Sequence, residues 1–358
     1  GRLRLRSTSL HVQYFVMMAR WAPDGEALLC AVTAAEDRRF TPHFVLLDAA
    51  TGLARDDWHL DTYPDHRDPI CGDLIVIGNI MCAAYLLSEE TSGLHTDRDV
   101  IGPTVHVRVL VQDYQRHNVI HSFVHDIDSP REDNEVPVAF SRDGRALVLL
   151  DANGVRLVDT QSAQMLWKLE CPLNPDNFTI GFTKYGLLVP VVGGTALIDS
   201  QTGQAKCVLA ELAGGFSVSP CSELVAADDD PFILKLEGHE ASRSDIPGPD
   251  EYRLIPTNTR DPPLLGLWPR EVELAWTHDS AKLAALHRRR DGTGVLDILD
   301  VPESELLCRR HYNHSNNLDF VDVVGFSPDG ARLATLGLTS TSSSCIDVLS
   351  PSLLLLSF

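Results

Sequence analysis

Phe326-Ser327-Pro328-Asp329-Gly330-Ala331-Arg332-Leu333-Ala334 is the stretch whose reading decides the fold. An aromatic and a hydroxyl residue lead into an Asp-Gly turn, and a hydrophobic run leads out of it. Asp-Gly between two such runs makes a tight hairpin, because glycine adopts the positive φ that other residues resist. Pro328 fixes its own φ where no ladder N–H is needed. The same unit stands at Trp21-Ala22-Pro23-Asp24-Gly25 before Glu26-Ala27-Leu28-Leu29, and at Phe140-Ser141-Arg142-Asp143-Gly144 before Arg145-Ala146-Leu147-Val148. Looser copies are Trp276-Thr277-His278-Asp279-Ser280, Phe182-Thr183-Lys184-Tyr185-Gly186 and Phe216-Ser217-Val218-Ser219-Pro220.

A second unit follows each first one: an alternating strand ending in Asp, then a polar reversal. It reads Val45-Leu46-Leu47-Asp48-Ala49-Ala50-Thr51-Gly52, Val155-Arg156-Leu157-Val158-Asp159 with Thr160-Gln161-Ser162-Ala163, and Ala196-Leu197-Ile198-Asp199 with Ser200-Gln201-Thr202-Gly203. Leu296-Asp297-Ile298-Leu299-Asp300 and Cys345-Ile346-Asp347-Val348-Leu349-Ser350 continue the series. Asp, Ser and Thr side chains bond nearby backbone N–H groups and stabilise such reversals.

Together the units describe four short antiparallel strands. In one clear copy these fall near 136–140, 145–150, 154–159 and 164–170, with Asn153-Gly154 turning the middle pair. Gly193-Gly194 turns the same pair in the next copy. The 66–125 region lacks Asp-Gly but still reads as four strands. Leu74-Ile75-Val76-Ile77 turns at Gly78-Asn79 into Ile80 to Leu87, and Val105 to Val111 alternates into Asp113. Seven copies result: 10–62, 66–125, 136–170, 177–210, 214–262, 270–310 and 319–358. Repeats of this kind are propeller blades, and no long stretch shows the 3.6 spacing of a helix. The expected fold is all-β: a single seven-bladed β-propeller over residues 1–358, four antiparallel strands per blade. Leu353-Leu354-Leu355-Leu356, or a borrowed N-terminal strand at Leu3–Leu10, is expected to complete the last blade and remove its free edge.

These units resemble those of the WD-repeat family, over nearly the whole chain. The final blade carries the resemblance best, from His314 through Phe326-Ser327-Pro328-Asp329-Gly330 to Ser350. Leu236-Glu237-Gly238-His239 looks like the family's Leu-x-Gly-His opening, although a Pro-rich insertion and not a strand is expected after it. The Trp-Asp dipeptide that names the family is replaced by Leu47-Asp48, Val158-Asp159, Ile198-Asp199 and Leu299-Asp300, so the resemblance is to a degenerate member. It implies that the Asp-Gly turns share one rim. The second-to-third-strand turns and the inter-blade loops would share the opposite, commonly partner-facing rim. That rim would collect Glu36-Asp37-Arg38-Arg39, Asp228-Asp229-Asp230 and Arg288-Arg289-Arg290, with the loops 61–70, 126–135 and 238–269. Asp228, Asp229, Asp230, Arg288, Arg289 and Arg290 are the candidate partner-binding residues. The plainer reading of each triplet is a solvated turn.

The formal net charge of −20 over 358 residues favours partners with basic surfaces and disfavours nucleic acid as the main ligand. The 8 cysteines form no C-x-x-C pair, and most sit in apolar runs such as Ile80-Met81-Cys82-Ala83. They read as reduced thiols of an intracellular protein, cytoplasmic or nuclear. Organellar import stays open, because the sequence begins at Gly1 without Met. Arg2, Arg4 and Arg6 alternate with leucines, the pattern of a strand more than of a transit peptide. The longest apolar stretch, Leu74 to Leu87, is too short to span a bilayer.

Catalytic motifs are missing. No Gly-x-Ser-x-Gly elbow, Walker loop or dinucleotide fingerprint occurs. His66-Arg67-Asp68 copies a kinase triplet without the glycine loop or Asp-Phe-Gly that should accompany it. His117, His121 and His125, with Asp126, are the best metal candidates, but four residues of strand separate neighbours by about 13 Å, too far to share one ion. Asp228-Asp229-Asp230 lacks the spaced oxygen ligands of a calcium loop. No cofactor, metal or small-molecule ligand is therefore expected. The reading is a non-catalytic protein–protein interaction scaffold, a subunit of a larger intracellular complex. The alternative is a propeller enzyme of lactonase or hydrolase type with a metal in the central channel. It requires convergent Asp, Glu, Asn or His on the inner strands, which read Phe/Trp-Ser/Thr and Val/Leu.

Overall fold

The computed structural model describes residues 4–12, 15–33, 43–59, 67–88, 104–128, 137–174, 179–210, 212, 214–227, 232–237, 240–245, 272–288, 294–312, 318–339 and 344–352. Every regular element in them is a β-strand, and the strands form seven four-stranded antiparallel sheets. The chain opens with β1 (Arg4–Val12). The first blade is β2 (Phe15–Trp21), β3 (Ala27–Thr33), β4 (His43–Asp48) and β5 (Ala54–His59). The second is β6 (Arg67–Ile77), β7 (Ile80–Ser88), β8 (Thr104–Asp113) and β9 (Asn118–Asp128). The third is β10 (Val138–Phe140), β11 (Ala146–Asp151), β12 (Gly154–Asp159) and β13 (Met165–Glu170). The fourth is β14 (Gly181–Thr183), β15 (Gly186–Val191), β16 (Gly194–Ile198) and β17 (Ala205–Leu209). The fifth is β18 (Phe216–Val218), β19 (Leu224–Ala227), β20 (Phe232–Glu237) and β21 (Glu240–Asp245). The sixth is β22 (Val272–Trp276), β23 (Lys282–Arg288), β24 (Gly294–Asp300) and β25 (Glu305–Tyr312). The seventh is β26 (Leu318–Phe326), β27 (Leu333–Thr339) and β28 (Ser344–Ser352), completed by β1. The molecule is a seven-bladed β-propeller.

The burial pattern follows from stacking sheets face to face. Middle strands are covered on both faces, so they read as continuous apolar runs. All six residues of β15 are buried, as are Leu147 to Asp151 of β11. Outer strands lie where blades splay apart, and β13 alternates exposed and half-buried positions. The core consists of layers between neighbouring blades: Leu29, Phe44 and Trp58 of the first meet Leu74, Met81 and Tyr85 of the second. Leu147 and Leu149 of the third meet Val107 and Val109 of the second. Each such fully buried side chain contributes about 1.5–3 kcal/mol.

Turn chemistry repeats with the blades. Gly330 takes φ 67°, its N–H bonds Ser327 O at 2.8 Å, and Ser327 Oγ bonds Asp329 Oδ1 at 2.5 Å. Thr277 and Asp279 repeat this at 2.6 Å, with Ser280 taking the left-handed position at φ 60°. In the fifth blade the equivalent hydroxyl is Ser219, which accepts the Leu224 N–H, so the Phe216-Ser217 alignment was two residues early. The third-to-fourth-strand turns share a second device. Asp48, Asp113, Asp159 and Asp199 each accept the N–H groups two and three residues on. The residue four on is left-handed: Gly52, His117, Ala163 and Gly203, and also Ser304 after Asp300.

Three expectations are resolved or corrected. The N-terminal strand closes the ring, pairing from Arg4↔Ser352 to Val12↔Ser344; Leu353–Leu356 lies outside the described residues. Gly238-His239 does not precede an insertion. β20 ends at Glu237, β21 begins at Glu240, and the two are paired, so Gly238 and His239 separate the third and fourth strands of one blade. That is not where the family's opening His stands, and the proposed loop 238–269 contains a strand. Asp347 lies within β28 opposite Thr335 and is not at a strand end. Ser350 stands nearer to that end, and the seventh blade has no following turn to cap because its fourth strand comes from the far end of the chain.

Candidate interaction surface

Antiparallel order puts the Asp-capped turns on one rim. The second-to-third-strand connections and the blade-to-blade loops open from strand ends on the other. Arg288 ends β23 opposite Gly294, at this second rim. Asp228, Asp229, Asp230, Arg289 and Arg290 lie outside the described residues, as do Glu36–Arg39 and His314.

Polar groups near the inner strands are committed to joining blades. Asp73, at a bulge of β6, accepts the Phe140 N–H from the third blade at 2.8 Å and the Leu74 N–H at 2.8 Å, and faces Arg20 of the first blade at 3.5 Å. Sequence reasoning missed it, although a Gly-Asp pair inside an apolar run is a bulge signal. Arg142 of the third blade donates to the carbonyls of Val218, Ser219 and Pro220 in the fifth. Arg332 of the seventh donates to Gly25 O and, at 2.9 Å, to Glu26 of the first. The indoles of Trp21 and Trp276 donate across blades to Gly325 O at 2.8 Å and Ser217 O at 3.2 Å. Within the sixth blade, the nearly fully buried Asp297 of β24 holds Arg309 of β25 through two bonds of 2.7 and 2.8 Å.

The histidine series does not converge. His117 sits in the turn before β9, bonded to Asp56 at 2.8 Å and stacked on Trp58 of the first blade. His121 and His125 lie on the half-buried side of β9 with Phe123 between them. Among the described residues no group of three His, Cys, Asp or Glu is arranged to hold a metal ion.

Cysteines divide by environment. Burial pushes the Cys30 thiol up to about 12 and the Cys82 thiol up to about 11. Cys221, in the turn Ser219-Pro220-Cys221-Ser222 and not in an apolar run, is exposed. Partial burial raises its pKa, but hydrogen bonds from Ser219, Ser280 and the Glu223 and Leu224 amides outweigh this and lower it. No helix among the described residues is long and apolar enough to cross a membrane.

Exposed apolar side chains collect on the circumference. Among the described residues, six of the nine large ones lie on the outer strands of three consecutive blades: Val119, Ile120 and Val124 on β9, Met165 and Leu166 on β13, and Val208 on β17. Exposed apolar side chains on a circumference are the kind of surface that partners can cover.

Comparison with known proteins places the architecture. The chain is similar to a solved structure described as "KlHsv2 with loop 6CD replaced by a Gly-Ser linker", with a TM-score of 0.52 and 10% identity, over 94% of this chain and 97% of that one. The likeness shows the fold alone. No protein-family model matches the chain, and no curated protein matches it.

Proposed function

We propose that this propeller is a non-catalytic scaffold that holds other proteins, as a subunit of a larger intracellular complex and a degenerate member of the WD-repeat type. The observation that carries this reading is where the carboxylates go. Asp48, Asp113, Asp159 and Asp199 cap their own turns, Asp73 joins blades, and Asp297 is locked to Arg309. Lys206 and the Thr202 and Gln201 amides hold the Asp199 carboxyl at about 2, so it stays a turn anion at any physiological pH. Side chains spent this way rigidify a platform. The exposed apolar side chains of the outer strands favour a protein partner, and the formal charge of −20 favours one with a basic surface.

Affinity capture from native lysate, with mass spectrometry, tests the reading. The full chain is compared with a version lacking 246–269, a deletion that spares β21. A stable set of co-purifying proteins, lost with that segment or with charge substitutions at those apolar positions, supports the scaffold. A purified chain that retains a stoichiometric metal and turns over esters or lactones, with no stable protein partner, overturns it.

A further inference from the structure

We infer that the segment Leu353-Leu354-Leu355-Leu356 folds back as a strap over an apolar pocket between the sixth and seventh blades and seats a leucine in it. This goes beyond the scaffold reading, because it concerns how the chain covers its own surface.

The pocket is lined by Ile298 and Cys308 of the sixth blade and by Leu333 and Leu349 of the seventh. Ile298 and Cys308 stand opposite one another in the β24–β25 ladder, and Leu333 and Leu349 do so in the β27–β28 ladder. Gly330 and Ala331 also line it, which places it at the rim of the Asp-Gly turns. The lining is almost wholly apolar, and the enclosed part has room for a single side chain. Cys308 is half-buried there.

The course of β28 selects the occupant. β28 runs antiparallel to β27, so it heads for the Gly330 turn from which β27 departs, and Leu349 pairs with Leu333 beside that turn. Leu349 packs toward the sixth blade, whereas Ile346 and Val348 pack toward the first. Ser350 to Ser352 carry the chain about 10 Å past Leu349, paired with β1 alone. The next residues are Leu353-Leu354-Leu355-Leu356-Ser357-Phe358, which lie outside the described residues. Four residues of extended chain span about 13 Å, so this run reaches back to the pocket after one reversal. β1 takes the fourth place in the seventh sheet, so the leucines are not needed to complete that blade. Consecutive leucines gain by leaving water, and the apolar pocket that Leu349 lines is the hollow beside which the chain delivers them.

Thiol accessibility at Cys308 tests the inference, because a seated strap shields it. The full chain is compared with a full-length variant in which Leu353, Leu354, Leu355 and Leu356 are all changed to Ser, both in a Cys221→Ser background. Pulsed alkylation with peptide mapping is expected to find Cys308 modified about tenfold faster in the serine variant. Unchanged protection of Cys30 and Cys82 shows that the fold is intact. A second test places Leu354→Cys or Leu355→Cys in the same background. Mild oxidation is expected to join at least one of these positions to Cys308 within a single chain, since a disulfide forms only where the Cα atoms approach to about 4.4–6.8 Å. Equal alkylation of Cys308 in the two chains, whether fast or slow, overturns the inference, and it does so whether or not the propeller holds other proteins. So does the absence of a bond from either position to Cys308.

Discussion

Gly203 and Gly330 share a left-handed backbone, φ 73° and 67°, but not their surroundings. Alanine at Gly330 would place its Cβ 3.4 Å from Thr277 Cγ2, an ordinary contact. The left-handed conformation then costs about 1–2 kcal/mol, offset by about 0.4–1 kcal/mol from the stiffer unfolded chain. The net is about 1 kcal/mol. At Gly203 the Cβ would sit 2.8 Å from Cδ2 and 3.0 Å from Cε3 of Trp167 in the preceding blade. That indole cannot easily yield, because its Nε1 donates to Ser200 O at 2.8 Å. Overpacking adds about 1–3 kcal/mol, for a total of about 2–4 kcal/mol. At about 2 °C per kcal/mol for a large domain, Gly330→Ala lowers the melting temperature by about 2 °C and Gly203→Ala by about 4–8 °C, read by differential scanning calorimetry. Equal drops would show that Trp167 does not seat on the fourth blade. A neutral Gly330→Ala would deny the positive φ on which the repeated turn depends.

Asp73→Ala strands the Phe140 N–H and should cost about 1–3 kcal/mol, with Asp73→Asn recovering part of it; denaturant unfolding reads both. Burial, with His59 nearby, lowers the His43 pKa, and burial, with Arg156 nearby, lowers that of His125. The unfolded chain therefore takes up protons first: their contribution is fully present above about pH 6.5 and lost as pH falls through the folded values. The melting temperature should decline from pH 7 to 5, and less steeply in His43→Gln; a decline of equal slope in that variant would remove His43 from the account. A short pulse of iodoacetamide on the folded protein should label Cys221 and spare Cys30, Cys71 and Cys82, which react only after unfolding; peptide mapping that finds the buried thiols labelled as fast would contradict their packing.

The fold was legible because its signals are local. Phe326-Ser327-Pro328-Asp329-Gly330 and its copies need only their own backbone to turn, so the sequence alone marks them. Strands buried on both faces, such as Leu147 to Leu150, announce themselves as apolar runs. What was misread depends on register or on distant partners. Glu240 to Asp245 has no apolar alternation, yet it is a strand because β20 offers it a ladder. Asp347 resembles the capping aspartates but sits inside β28. Asp73 gains its role only when Phe140, 67 residues on, is brought beside it. His117 is one of an evenly spaced series in the sequence. A left-handed turn removes it from the strand and hands it to Asp56. The candidate triplets were chosen for charge density; Arg288 ends β23, and the other five residues lie outside the described residues. The apolar circumference was invisible, because outer-strand residues such as Ile120 look like core until the sheet order is known.

Ring closure by the N-terminal strand is the most direct test of the account. Deleting residues 1–12 leaves β28 with an unpaired edge and removes a ladder of nine residues from the seventh blade. The melting temperature of the shortened chain should fall by more than in any substitution above. A peptide spanning residues 3–12, added in trans, should restore it. An unchanged melting temperature, or a fall that the peptide does not reverse, would contradict a propeller closed by its own first strand.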